Sequence, residues 1–381
     1  MPTTAATTRP WVDWNADERA ARRRVIAAGM RVFATPAGAV WIVLLVVAWL
    51  ALPLLLGGFA LKLYVYVGIA AIGAIGLNFL AGNAGQVSLG HPFFIGVGVY
   101  CGAVVGGDWG WPLFAWLPFA ALLGAALGAL VGPFALRLKG NYLVMITIAL
   151  VFIGQHVFNN WSAVTGGVGG RAIAPSLSVF GWDLNDATTP ALKDQRFAWF
   201  VWPLVGACAL AVTNILRSRP GRALQAIRDR DLTAEVLGIA LARYKVTAFA
   251  ISGGLAAVAG GLYGGYVGFA SPTEWNLLLA IQYLAMVVVG GMGSVAGSVI
   301  GAAVVVCLPY AVQAAVQALP LAGRVISQSP GDGGALSAFA LNQILFGLLI
   351  ALFLMFAPRG LAALFHGALR RFFTHLPGRH T

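Results

Sequence analysis

"GLNFLAGNAGQVSLGHPFF", residues 76–94, sets Asn78, Asn83, Gln86, Ser88 and His91 among glycines in the middle of an apolar run. No Lys, Arg, Asp or Glu occurs anywhere from 63 to 107. Such a window is long enough for successive membrane crossings of about 20 residues each. A polar group in hydrocarbon is costly unless it meets a partner or lines a water-filled cavity. The stretch therefore predicts a helix broken by design, with its polar groups turned toward other helices or toward water.

The rest of the chain agrees. Of 381 residues 60% are hydrophobic and 9% charged, against roughly 25% charged in an ordinary soluble domain. A second window, 246–323, holds only Glu274. These features predict an all-α, polytopic integral membrane bundle of about ten crossings, over 39–58, 62–82, 92–107, 112–136, 142–158, 197–216, 246–268, 279–290, 298–316 and 340–357. Polar or mixed sequence precedes the first span and no small-residue cleavage site stands out, so the mature chain is expected to start near Met1.

The net charge of +12 is clustered between spans. With a cytoplasmic N-terminus, 19 of the 24 lysines and arginines fall on the inner side, leaving Lys62, Arg171, Lys193, Arg196 and Arg324 outside. This is the asymmetry of the positive-inside rule, and it places both termini in the cytoplasm. Trp109, Trp111, Trp161, Trp182, Trp199, Trp202 and Trp275 fall at the expected outer interface. Basic charge thus sets orientation, and no nucleic-acid partner is expected. Cys101, Cys208 and Cys307 lie in apolar segments without pairing or metal-type spacing and read as small core residues.

The domain plan follows. Residues 1–38 form a basic cytoplasmic segment whose "DERAARRRVIAAGMRVF" fits a helix on the anionic inner leaflet, and equally a solvated tail that fixes topology. Residues 39–357 form the transmembrane domain, and 358–381 a basic cytoplasmic tail. Within the domain, 159–196 is the longest polar interruption, read as a flexible outer loop at a pore mouth or as a plain connector. Its "TGGVGG" lacks the Lys-Ser or Lys-Thr of a phosphate loop. "GNAGQVSLG" (82–90) and "GGMGSVAGS" (290–298) resemble each other. They read either as a repeat or as small residues that let helices pack closely.

The inner segment 217–245, "RSRPGRALQAIRDRDLTAEVLGIALARYK", is amphipathic: Leu224, Ile227 and Ala223 share a face that Arg222, Gln225 and Asp229 avoid. Asp231 is placed to cap a second short helix with Glu235 in its first turn, and Gly238 to stop it. Two short helices between spans form either a rigid knob that takes force from a soluble partner or a pair that lies on lipid.

No Gly-x-x-x-x-Gly-Lys-Ser/Thr, His-Glu-x-x-His or Gly-x-Ser-x-Gly occurs. Of titratable groups at mid-membrane depth only His91 and His156 stand out. No catalytic residues, cofactor or metal are expected, so the sequence fits a conduit whose energy comes from elsewhere rather than an enzyme.

Five stretches carry a family resemblance: 77–100 ("LNFLAGNAGQVSLGHPFFIGVGVY"), 136–170 (with "LRLKGNYLVMITIAL" and "NNWSAVTGGVGG"), 221–263, 286–302 ("MVVVGGMGSVAGSVIGA") and 353–361 ("FLMFAPRGL"). They resemble the permease subunits of bacterial branched-chain amino acid ABC importers, the LivM type in particular. The resemblance implies a multi-pass protein of the bacterial cell membrane that moves a small polar solute inward by alternating access. Implied partners are two ABC ATP-binding subunits, a second related permease and an extracytoplasmic substrate-binding protein, with membrane lipid around them. It also implies that 217–245 is the coupling segment, with Arg222, Ala223, Ala226, Arg228, Ala234, Glu235 and Gly238 in the motif that docks on the ATPase. Branched-chain amino acids are the implied cargo. The alternatives are urea or short amides, and a sodium-coupled carrier acting without an ATPase. Asn78, Gln86, Ser88 and His91 are expected to border the translocation path near the inner gate, or else to cap broken helices and bond across the bundle. Gln155 and Asn159 are candidates for the path's entrance.

Overall fold

The computed structural model describes residues 36–134, 141–179, 182–184 and 190–318, together with 326–327, 336–337, 343–345, 347–348, 351–352, 355 and 360–362. The basic segment before residue 36, the stretch 135–140 with Arg137 and Lys139, Arg324, most of the expected span over 340–357 and the tail beyond 362 lie outside the described residues.

Charge-free sequence can satisfy its backbone away from water only by helix formation or a closed barrel, and most of the described residues are helical. In chain order they form α1 (Pro36–Leu55), α2 (Gly58–Asn78), α3 (His91–Cys101), α4 (Leu113–Val131), α5 (Asn141–Asn160), α6 (Pro190–Arg217), α7 (Arg219–Asp229), α8 (Asp231–Val236), α9 (Leu241–Val267), α10 (Leu277–Gly290) and α11 (Val295–Ala318). The chain divides into two compact units, Met1–Leu52 and Pro53–Thr381, and every helix after α1 belongs to the second. Five described stretches are long and apolar enough to cross a membrane: Gly58–Asn83, Leu113–Val131, Tyr142–Asn160, Leu192–Arg217 and Leu241–Val267. Val46–Leu55, Leu277–Gly290 and Val295–Ala311 are shorter apolar helices. The span expected over 92–107 falls on α3 and its continuation as a π-helical turn, Gly102–Asp108.

α9 is the hub, packed on α2, α3 and α4. Its run "GGLAAVAGGLYGG" explains why, since small residues let backbones approach where side chains would hold them apart. A Cβ at Gly98 of α3 would overlap the Ala257 carbonyl, and one at Gly260 the Ile95 carbonyl. Gly124 of α4 meets Gly253 in the same way. α10 and α11 repeat the device, with Gly290 against Gly297 and Gly301 against the Met286 carbonyl.

Two sequence expectations need correction at the end remote from α7 and α8. First, α6 begins at Pro190 rather than at 197. Proline suits a first helical position, where no N–H partner is needed. The charges that suggested a loop point inward: the Tyr266 hydroxyl donates to Asp194 at 2.7 Å and Lys193 Nζ to the Tyr266 carbonyl at 3.2 Å. Second, the described part of 159–196, expected to be a loose outer loop or a connector, is fastened. Arg171–Ala172 pairs antiparallel with Phe269–Ala270, Arg171 bonds Asp108 at 2.7 Å, and Trp116 donates to the Ser176 carbonyl at 3.0 Å. Cys101 is buried, Cys208 and Cys307 are partly buried, and all three are free thiols.

Candidate functional site: a helical elbow and the helix breaks beneath it

α6 ends at Arg217, Ser218 is extended (ψ 177°), and α7 turns back at once. Gly221 makes that possible, because a Cβ there would overlap the Ile215 and Leu216 carbonyls. Gly221, Leu224 and Ile227 form the buried face of α7, the spacing of a helix that is apolar on one side. Ala223 and Ala226 are half-buried, while Arg222 is exposed and donates to the Arg217 carbonyl at 3.0 Å, closing the end of α6. Arg230 is extended (φ −156°, ψ 100°) and separates α7 from α8. α8 then ends in a Schellman turn: Gly238 (φ 81°) donates to the Glu235 carbonyl and Ile239 to that of Ala234.

Asp231 does not act as the cap. It is the first residue of α8, no side-chain cap bond forms, and Glu235 lies beyond the first turn. Its carboxylate instead accepts from Lys245 Nζ at 2.8 Å. Lys245 is only 4% exposed, so this bond fastens α8 to the N-terminal part of α9. Sequence reasoning passed over Lys245; its position after a basic run hid it. Ala234 is buried under α8, whereas Leu232, Val236 and Leu237 point outward, Val236 with 87% of its surface exposed. Glu235 stands exposed beside them.

Arg228 leaves this elbow in the other direction. Its Nη1 donates to the Gly82 carbonyl at 2.6 Å. Gly82 lies in a π-helical turn, Phe79–Asn83, that interrupts the end of α2, and such turns free backbone groups for outside partners. Just before the turn, Asn78 is 1% exposed and fully engaged. Its amide donates to the Ser294 carbonyl and to Ser298 Oγ, both at 2.7 Å, and its Oδ1 accepts from the Gly293 N–H at 2.7 Å. Gly293 itself (φ 86°) would place a Cβ 3.3 Å from Arg228 Nη1. The two Gly-rich stretches, far apart in sequence, thus meet at one point, and Arg228 joins them to the elbow.

The other predicted path residues are also buried and bonded. Gln86 donates weakly to the Ala84 carbonyl at 3.4 Å, and Ser88 accepts from Gly90 N–H at 3.2 Å. His91 Nε2 faces the Gly73 carbonyl at 2.9 Å, which makes it the donor, and the ring lies 5.0 Å from that of Tyr283. Gln155 and Asn159 are half-buried on α5, away from this cluster.

A cavity of about 460 Å³ opens further along the same helices, lined by residues of α2, α3, α9, α10 and α11 and by Glu274, Trp275 and Asn276. Tyr66 on its wall and Asn78 in the clasp are twelve residues apart on α2, about 18 Å at 1.5 Å per residue. None of the residues expected to border the path lines it; His91 backs onto one wall through Tyr283. Glu274 was visible as the lone charged residue of the window 246–323, and that was the signal available.

Helices of this length and apolarity, crossing at glycines and topped at one end by an amphipathic elbow, define a polytopic membrane protein. The chain belongs to the family described as branched-chain amino acid transport system / permease component, which it matches over residues 59–354. The high-affinity branched-chain amino acid transport system permease protein LivM of Escherichia coli (strain K12) is 34% identical over 236 residues, 58% of this chain and 56% of that protein. LivM of Salmonella typhimurium is 33% identical over the same shares. The permease protein LivH of E. coli K12 is 28% identical over 242 residues, 61% of this chain and 77% of that protein. The chain therefore spans little more than half the length of the LivM proteins it matches. No solved structure matches it.

Proposed function

We propose that the chain is the permease subunit of an ABC importer in the bacterial cytoplasmic membrane, carrying branched-chain amino acids inward at the expense of ATP hydrolysed by partner subunits. Its partners are two ATP-binding subunits, a second related permease and an external substrate-binding protein. It crosses the bilayer about ten times with both termini in the cytoplasm. The observation that carries the reading is the elbow's two-sidedness. An apolar tip, Leu232, Val236 and Leu237, is exposed, while Arg228 on the same elbow bonds the break of α2 at Gly82 and lies beside Gly293 of the α10–α11 turn. Exposed apolar side chains clustered on a polar knob mark a docking surface. Arg222, Ala223, Ala226, Ala234, Glu235 and Gly238 shape that knob, and Asn78, Gln86, Ser88 and His91 hold the broken helices beside the path.

The test is reconstitution of the chain with its partners in liposomes. ATP-dependent uptake of leucine is expected, with none when the ATPases are omitted; uptake without ATPases, or none with them, rejects the reading. Within that system Val236→Asp is expected to weaken association of the ATPase with the permease at least about tenfold, since a charge replaces an apolar contact at the centre of the patch. Co-purification measures it.

A further inference from the structure

The cavity lies at the end of the bundle away from the elbow, and its wall chemistry is lopsided. Ile69, Ile95, Met286, Val305 and Val306 make one part apolar. Four tyrosines, Tyr66, Tyr263, Tyr283 and Tyr310, and Trp275 add aromatic faces and hydroxyls. Among the described lining residues there is no lysine or arginine, and Glu274 is the single carboxylate. Its Oε2 accepts from the Tyr263 hydroxyl at 3.3 Å, a long bond that leaves most of its acceptor capacity free. Burial raises the pKa of Glu274, which the Tyr263 bond partly offsets, so the carboxylate gains from a cation beside it. Aromatic faces also favour a cation over an anion. The volume fits a small organic solute.

We infer that this cavity is a solute-binding site for an amino acid with an apolar side chain, in which Glu274 takes the ammonium group and the wall of Ile69, Ile95, Met286, Val305 and Val306 takes the side chain. The neutral donors of Gln282 and Tyr310 border the same space and suit the carboxylate end without adding a fixed positive charge. The inference rests on the permease reading and goes past it: the membrane chain itself, and not only an external binding protein, selects cargo by its ammonium. Transport from this site toward the elbow would run along α2, α10 and α11, which border the cavity and also reach the Asn78 clasp.

The test is equilibrium binding to the full chain in lipid nanodiscs, followed by tryptophan fluorescence, with L-leucine and 4-methylpentanoate as ligands; the second is leucine without its amino group. The wild type is expected to bind leucine saturably and 4-methylpentanoate at least about tenfold more weakly, a charge-assisted bond being the difference. Glu274→Gln should lower leucine affinity by about the same factor and leave 4-methylpentanoate unchanged. Val306→Trp, which fills the cavity, should abolish both. Equal affinity of the wild type for the two ligands, leucine binding unaltered in Glu274→Gln, or undiminished binding in Val306→Trp would each overturn the site. No saturable leucine binding by the wild type would overturn it too, whereas loss of ATP-driven uptake in liposomes bears on the permease reading instead.

Discussion

Replacing Arg228 by alanine is expected to separate ATP hydrolysis from uptake in the reconstituted complex, with hydrolysis retained and solute moved per ATP reduced at least tenfold. The elbow touches the ends of α6 and α9 through its buried face and through Lys245, and those contacts survive the change. What is lost is a charged donor at 2.6 Å from the Gly82 carbonyl. A hydrogen bond with one charged partner contributes about 1.5–3 kcal/mol, and each 1.4 kcal/mol is roughly a factor of ten in an equilibrium. The loss falls where motion of the elbow would reach α2 and, through Asn78, the start of α11. Gly85 packs against the same residue, a Cβ there standing 3.1 Å from the Arg228 Cα, and because the Arg228 side chain also meets solvent, what alanine removes is the bond. Arg228→Lys is expected to fall between the two, because one donor can be replaced and the guanidinium plane cannot. Glu235→Ala offers the contrast. That side chain is exposed, so its loss should appear in ATPase affinity and not in the ratio of uptake to hydrolysis. Transport per ATP equal to wild type in Arg228→Ala removes the clasp from the mechanism.

How much of this was legible differs residue by residue. The elbow was, because Leu224 and Ile227 repeat at helical spacing against arginines and Gly238 marks a left-handed stop; both signals are local. Asn78 was legible as an anomaly, a polar group in a charge-free helix, but its partners lie 215 to 220 residues away, and no local rule supplies them. Asp231 misled for the opposite reason. Locally a carboxylate beside a helix start is a cap, and only the tertiary fold brings Lys245 to it. The cavity was the least visible feature. Each of its tyrosines and valines reads as ordinary packing on its own helix, and the shape arises only when five helices converge. The early start of α6 was missed because charged side chains turn inward there, Lys193 and Asp194 each bonding Tyr266, and hydropathy counts a buried, hydrogen-bonded charge as water-loving.

Gly260→Leu is expected to have the largest effect on the folded protein, reducing the monodisperse fraction recovered from membranes at least tenfold in size-exclusion chromatography. Between helices in lipid there is little hydrophobic drive, so association depends on close packing. At Gly260 that packing is backbone to backbone, a Cβ overlapping the Ile95 main chain. Side-chain repacking relieves ordinary overpacking at about 1–3 kcal/mol; here the obstacle is the α3 backbone, so the helices must part. Parting α3 from α9 also withdraws Gly98 from Ala257 and uncovers the cavity wall at Ile95 and Ala259. Gly206→Leu in α6 is the control, because nothing lies within 4 Å of a Cβ there, and it should behave as wild type. If Gly260→Leu and Gly206→Leu elute alike, α9 is not the hub on which the bundle assembles.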